Sequence, residues 1–174
     1  MKSKIIKVRT LSKEAFAPFG HVLMLNPGKP LIKSDPPQFT DCIPFFVDDG
    51  EAEFVYAVLE RREFKFSTME RHLKVTQGFF PLFGGPAIIT VAPATNPDDP
   101  EALPSPDSVC AFLLESYNAI TLHRGVWHGT IFPLEEKFGY ILATRDKTTN
   151  ESIAPLYAGD VQIRDLGTTF ELLL

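Results

Sequence analysis

The chain has 174 residues, of which 44% are hydrophobic and 22% are charged, and its formal net charge is −5. This length and composition are those of one globular domain with its own core, so a mainly disordered chain is excluded. Nucleic-acid binding is not expected, because phosphate contacts need clustered Lys and Arg. No membrane span is expected either, since no apolar stretch is long enough for a transmembrane helix.

The first predicted element is a short helix near the start of the chain. Ser12 can cap residues 13–17, and Glu14 would then lie at the positive end of the helix dipole. Pro18 and Gly20 end the element. Because it is so short, we expect this helix to lie against a sheet.

The other predicted elements are strands rich in Val, Ile, Phe and Tyr, separated by turn residues. They cover 53–60, 64–72, 79–82, 88–91, 109–114, 117–123, 138–144, 161–166 and 168–173. Short, closely spaced strands predict a mainly β fold, either an antiparallel barrel or a sandwich. We expect a single domain over 1–174, with 26–44 and 93–106 as loops within it and 148–156 as a connection. The loop at 93–106 could alternatively be a lid or a dimer arm.

The two cysteines and the start of the chain indicate the compartment. Cys42 and Cys110 are 68 positions apart and lack metal-ligand spacing, which is typical of reduced thiols. Residues 1–11 are basic but contain no continuous apolar run, which argues against a secretory signal. The expected location is the cytoplasm.

The strand at 64–72 carries the first candidate site. Side chains alternate along a strand, so Phe64, Phe66, Glu70 and His72 are predicted to share a face. If the two phenylalanines point inward, so do Glu70 and His72. A buried carboxylate and imidazole are costly unless they are paired or bind a ligand. The alternative is a Glu and a His exposed at the rim of the strand.

Two sequence blocks resemble a known superfamily. The order Glu70-x-His72, four residues, Gln77, six residues, Gly84 resembles the first cupin motif, with Glu and Gln in place of its first and third ligands. The single His of the second cupin motif is matched by His123. The resemblance implies a cupin-like barrel whose ligands Glu70, His72, Gln77 and His123 hold a divalent metal such as Ni, Mn, Fe or Zn.

A more specific resemblance covers 68–146. The blocks Glu70-Arg71-His72, 76–82 and 123–128 are similar to those of the ureidoglycolate lyase family of allantoin degradation. This resemblance implies cleavage of ureidoglycolate to glyoxylate and urea, and a homodimer. The segment 45–57 has no clean match to the corresponding part of that family, so the accepted substrate could differ.

The implied reaction is an elimination, in which a base removes a hydroxyl proton and an acid protonates the departing nitrogen. Glu70 or His72 could be the base, and His123 or His128 the acid. We expect His128 to point inward only if Gly125 breaks the strand register.

The substrate-binding residues implied by the resemblance are Arg71, Gln77, Arg124 and Trp127. Each arginine could clamp the carboxylate, although strict alternation turns Arg71 away from Glu70. Trp127 could instead pack in the core. His21 lies outside the matched blocks and is expected to be structural or at the surface.

Two other functions remain open from the sequence. The chain could be a metal-dependent cupin enzyme of another class, such as an isomerase or a dioxygenase acting on a small acid. It could also be a non-catalytic protein that binds a small molecule in a cupin-like pocket.

Overall fold

The described part of the chain comprises residues 2–24, 41–99, 101–146, 148 and 160–174 in this computed structural model. It contains twelve strands and a short helix near its start, and Asp146 and Thr148 are also helical. The strands are β1 (Lys2–Thr10), β2 (Gly20–Leu23), β3 (Ala52–Glu60), β4 (Lys65–His72), β5 (Gly78–Phe83), β6 (Ala87–Ala92), β7 (Cys110–Leu114), β8 (Ala119–Leu122), β9 (Trp127–His128), β10 (Phe132–Pro133), β11 (Lys137–Arg145) and β12 (Val161–Leu173). The helix α1 (Lys13–Phe16) follows β1, and one 3-10 turn (Pro106–Ser108) precedes β7.

The strands form two sheets. The larger has the order β10-β6-β7-β1-β12-β4-β9, and β9 also pairs with β6, which closes a ring of six strands. The smaller has the order β2-β8-β5-β11-β3. The prediction of a mainly β fold built around a barrel is confirmed.

One strand departs from the antiparallel pairing that was expected. β1 was not predicted, and it pairs in parallel with both β7 and β12. Its sequence, KSKIIKVRT, has charged residues at four of nine positions and only Ile6 is buried, so it lacks a strong apolar signal. The pairing therefore depends on the strands on either side, which cover the backbone of β1.

Two hydrophobic cores lie on opposite faces of the larger sheet. The first lies between the two sheets and contains Phe16, Phe79, Phe112, Ile120 and Tyr140 among its buried members. The second is built mainly from the larger sheet, and its buried members include Ile6, Met69, Ile88, Trp127 and Phe170. Successive residues of β4 and β9 therefore face different cores.

The helix forms as predicted, since the Ser12 hydroxyl accepts a hydrogen bond from the Ala15 amide at 3.1 Å. Phe16 is fully buried in the first core, which explains why such a short helix is stable against the sheets.

The two predicted loops are described to different extents. The described residues between β6 and the 3-10 turn contain no helix or strand. The predicted loop at 26–44 and the connection at 148–156 lie largely outside the described residues. Where the structure describes the chain, it contains no helix that is long and apolar enough to cross a membrane.

Candidate active site

A tight turn places His128. β8 ends at Leu122, and Gly125 adopts a positive φ of 77°, a conformation that is costly for residues with a Cβ. The Gly125 amide donates a hydrogen bond to the carbonyl of His72 at 2.7 Å. The chain then runs into β9, where His128 pairs directly opposite Glu70.

A register shift in the neighbouring strand places Glu70 and His72. β12 pairs with β4 at Phe66↔Phe170 and then at Thr68↔Asp165, so the ladder is interrupted between these two pairs. Phe66 packs against the second core together with Met69, three residues later, which strict alternation does not allow. The expectation that the phenylalanines share a face with Glu70 and His72 is therefore wrong, although Glu70 and His72 do share one.

Three side chains converge where β4 meets β9. The Oε1 atom of Glu70 lies 3.8 Å from Nε2 of His72 and 3.8 Å from Nε2 of His128. The Glu70 side chain is 33% exposed, whereas those of both histidines are 4% exposed. We call these three residues the triad.

The first core forms one wall of the triad. The ring of Phe79 lies 5.9 Å from that of His128 in an edge-on arrangement, and the ring of Tyr140 lies 5.9 Å from that of Phe79. Burial raises the pKa of the Tyr140 hydroxyl, and the charge of Glu70 raises it further. Tyr140 is therefore a neutral phenol at neutral pH.

Burial and charge determine the protonation of the triad. Burial acts to raise the pKa of Glu70, but the neighbouring His72 and His128 outweigh it and lower that pKa to about 2. Burial lowers the pKa of His128 to about 4, although Glu70 opposes the shift. At neutral pH Glu70 is therefore a carboxylate and His128 a neutral imidazole.

The same atoms fit a divalent metal ion. One ligand atom from each residue of the triad lies within 4.8 Å of the other two. Both ring nitrogens of His72 and Nε2 of His128 are buried, and none has a hydrogen-bond partner among the described residues. Two ligands about 2.0–2.2 Å from one ion can be up to about 4.4 Å apart, so the 3.8 Å separations are compatible with shared coordination. A carboxylate and two imidazoles suit ions such as Ni, Mn, Fe or Zn.

The predicted ligand His123 lies outside this group, which is a correction. Its Nε2 is 3.3 Å from the carbonyl of Ala17, and its ring packs edge-on against that of His21 at 4.8 Å. β8 ends before His123, and Gly125 turns the chain after His123. His128 therefore takes the position that was expected for His123. His21 is exposed, as the sequence predicted.

Gln77 lies close to the triad but its role stays a prediction. It lines a narrow space, with no room for a water molecule, together with His72, His123 and His128. Its Oε1 is buried and has no hydrogen-bond partner among the described residues. A neutral amide oxygen is a weaker metal ligand than a carboxylate, so Gln77 fits better as a wall of the site.

Arg71 is not brought to the triad. It faces the second core, where its guanidinium lies 4.8 Å from the ring of Trp127. Its Nε donates to the Gln162 side chain at 2.8 Å, and its terminal nitrogens donate to the carbonyls of Thr95, Asn96 and Asp99 and to the Thr95 hydroxyl. These bonds tie the loop after β6 to the barrel and leave little capacity to bind a substrate.

Trp127 and Arg124 also lie away from the triad. Trp127 is fully buried in the second core, and its indole nitrogen donates to the Thr95 hydroxyl at 3.0 Å. This matches the alternative of core packing. Arg124 is exposed and its guanidinium lies 4.3 Å from the ring of Phe46. Neither position fits the substrate-binding role that the resemblance implied.

A cavity of about 310 Å³ opens beside Glu70 and His128. It is lined by Arg62, Lys65, Phe66, Ser67, Thr68, Met69, Glu70, His128, Gly129, Thr130 and Ile163. The sequence did not indicate Arg62 or Thr130, because only the antiparallel pairing of Glu70 with His128 brings the residues before β4 near those after β9.

A model of the ureidoglycolate lyase family matches residues 3–159. The ureidoglycolate lyase of Pseudomonas paraeruginosa is 29% identical over 92% of this chain and 95% of its own length. The ureidoglycolate lyase of Pseudomonas fluorescens strain Pf-5 is 30% identical over 84% of this chain and 88% of its own length.

A solved structure, RmlC from Streptococcus suis in complex with dTDP-D-xylose, is also similar. The similarity covers 84% of this chain and 72% of that one, with a TM-score of 0.42 and 14% sequence identity. The match to the family model extends over most of the sequence and contains the whole triad. The chain belongs to the ureidoglycolate lyase family.

Proposed function

We propose that this protein is a lyase that cleaves ureidoglycolate to glyoxylate and urea. The observation that carries the proposal is the triad beside a cavity in a chain of this family. Its carboxylate meets two imidazoles whose buried nitrogens have no hydrogen-bond partner in the part of the chain that the structure describes. No covalent nucleophile is needed, because the substrate carbon carries both the hydroxyl and the departing nitrogen.

The proton transfers can be assigned to this chain's side chains. His128 lines the cavity and is a neutral imidazole at neutral pH, so it can accept the proton of the substrate hydroxyl. As the carbonyl forms and the carbon–nitrogen bond breaks, the resulting imidazolium returns that proton to the urea nitrogen. The Glu70 carboxylate, whose Oε1 is 3.8 Å from Nε2 of His128, stabilises the imidazolium in between.

A divalent ion would use the same three side chains. Glu70, His72 and His128 would hold it, and it would then supply Lewis-acid stabilisation of the developing carbonyl oxygen. In that arrangement His128 and His72 act as neutral ligands, a state that the burial of His128 favours. Nickel or another divalent ion is our candidate cofactor.

The direct test is release of glyoxylate from ureidoglycolate by the purified protein, with no addition, with chelator and with added Ni²⁺. We expect release well above the spontaneous rate. Loss of this activity with chelator would indicate that the triad holds a metal ion, and unchanged activity would indicate proton transfer without one. Release at the spontaneous rate in all three arms would contradict the proposal. Stoichiometric bound iron in such an inactive protein would instead favour a metal-dependent enzyme of another class.

We further propose a cytoplasmic location and a homodimer, with one domain over residues 1–174. The described cysteines, Cys42 and Cys110, are both free, which supports a reducing compartment. The proposed partner is the small-molecule substrate alone, with no nucleic acid or membrane, in keeping with the net charge of −5.

A further inference from the structure

The cavity beside the triad needs a positive group if its ligand is an anion. The acidic side chain of Glu70 lines this cavity, so a second carboxylate bound there needs a positive partner. The two arginines implied by the resemblance do not help, because Arg71 bonds to the loop after β6 and Arg124 stacks on Phe46. The side chains left to pair with a bound carboxylate are the cations that line the cavity itself.

Arg62 is held where it can do so. It lines the cavity, its guanidinium carbon lies 4.0 Å from the centre of the Phe132 ring, and one terminal nitrogen donates to the Thr130 carbonyl at 3.2 Å. Stacking fixes the plane of the guanidinium and leaves donors for a planar carboxylate. The other cation of the cavity, Lys65, is paired with Glu63 at 2.7 Å.

We propose that Arg62 binds the carboxylate of the substrate and so directs the hydroxyl-bearing carbon toward His128. This inference rests on the proposed function for the identity of the substrate. Thr68 and Thr130 line the same cavity and carry hydroxyls that can bond the urea group, whereas the Ser67 hydroxyl donates to Asp165 at 2.8 Å. The ligand class of the site is therefore a small carboxylate with a polar, uncharged end.

Neighbouring arginines provide a matched test. Arg61 precedes Arg62, does not line the cavity, and lies 5.7 Å from the ring of Phe64. We expect Arg62→Gln to raise KM for ureidoglycolate about tenfold to a hundredfold, because a charged hydrogen bond is lost. Arg62→Lys should be intermediate, since lysine keeps the charge but not the planar fork. Arg61→Gln should leave KM unchanged.

A binding measurement separates failure of this inference from failure of the proposed function. Calorimetric titration with glycolate should show binding to the wild type and to Arg61→Gln, and much weaker binding to Arg62→Gln. If the wild type is active but Arg62→Gln has an unchanged KM, the inference is wrong and the function stands. If the wild type is inactive, the binding data decide. Equal glycolate binding by Arg61→Gln and Arg62→Gln would overturn the inference, and so would a wild type that does not bind glycolate.

Discussion

The imidazole rings of His72 and His128 stack with their centroids 5.2 Å apart and an angle of 26° between their planes. The two residues come from different strands, β4 and β9, and both direct Nε2 toward one oxygen of Glu70. Two stacked neutral imidazoles tolerate burial, whereas two imidazolium ions at this distance would repel each other. The arrangement is therefore built for proton transfer by one ring or for shared coordination of an ion by both.

The two candidate acids are not equivalent. We expect His128→Ala to lower kcat for glyoxylate release by about 10²–10⁴-fold, the usual contribution of a general acid or base. His123→Ala should cost less than about tenfold, because the His123 ring bonds to the Ala17 carbonyl and packs against His21, and it contributes no atom to the triad. Steady-state kinetics with both variants measures the difference. Equal losses in the two would show that His123 acts on the substrate directly.

Acid should destabilise the metal-free protein through the triad. The folded-state pKa of His128 is about 4, against 6.5 for the free side chain, so the unfolded state takes up a proton first as pH falls. Stability is lost between about pH 6.5 and 4. Glu70, with a folded pKa of about 2 against 4.5, adds a loss between about pH 4.5 and 2.

Urea unfolding at pH 7 and pH 5, in the presence of chelator, measures the first of these losses. The wild type should lose more free energy of unfolding between these two pH values than His128→Gln, which cannot titrate. All other groups titrate in both proteins, so the difference isolates His128. Identical losses in the two proteins would mean that His128 is not held neutral by burial.

Removing Arg71 should affect stability and not substrate binding. Arg71→Met leaves the carbonyls of Thr95, Asn96 and Asp99 without their donor, and we expect the free energy of unfolding to fall by about 2–4 kcal/mol. The KM of the folded fraction should not change. Chemical denaturation and kinetics on the same preparation test both statements. A raised KM at normal stability would show that Arg71 binds the substrate.

Divalent ions should stabilise the protein through the triad. Ni²⁺ at well above its Kd should raise the melting temperature of the wild type by several degrees, and chelator should reverse the shift. The shift should disappear in Glu70→Ala and persist in His21→Ala, because His21 contributes no atom to the triad. A shift that survives Glu70→Ala would place the ion elsewhere.

The sequence predicted correctly that Glu70 and His72 share a face, because only a local rule was needed. Residues two apart on a strand share a face, and β4 is regular between them. The same rule failed from Phe66 to Glu70, since the ladder with β12 is interrupted there. It succeeded again for Arg71, which faces away from Glu70 as alternation requires.

The second half of the site could not be predicted by the same rule. His123 and His128 are separated by Gly125, whose left-handed conformation ends one strand direction and starts another. The sequence showed that a break at Gly125 would be needed for His128 to point inward. It could not show that the break occurs, because the hydrogen bond from Gly125 to the His72 carbonyl joins distant parts of the chain.

The sequence by itself determined the mainly β class, the capped helix, the family and the shared face of Glu70 and His72, because these follow from local periodicity and from motifs of adjacent residues. Only the tertiary structure decided that β1 lies parallel between β7 and β12, that His128 completes the triad and that Arg62 lines the cavity. Each of these depends on pairing between residues far apart in the chain, and no local pattern records which strands will be neighbours.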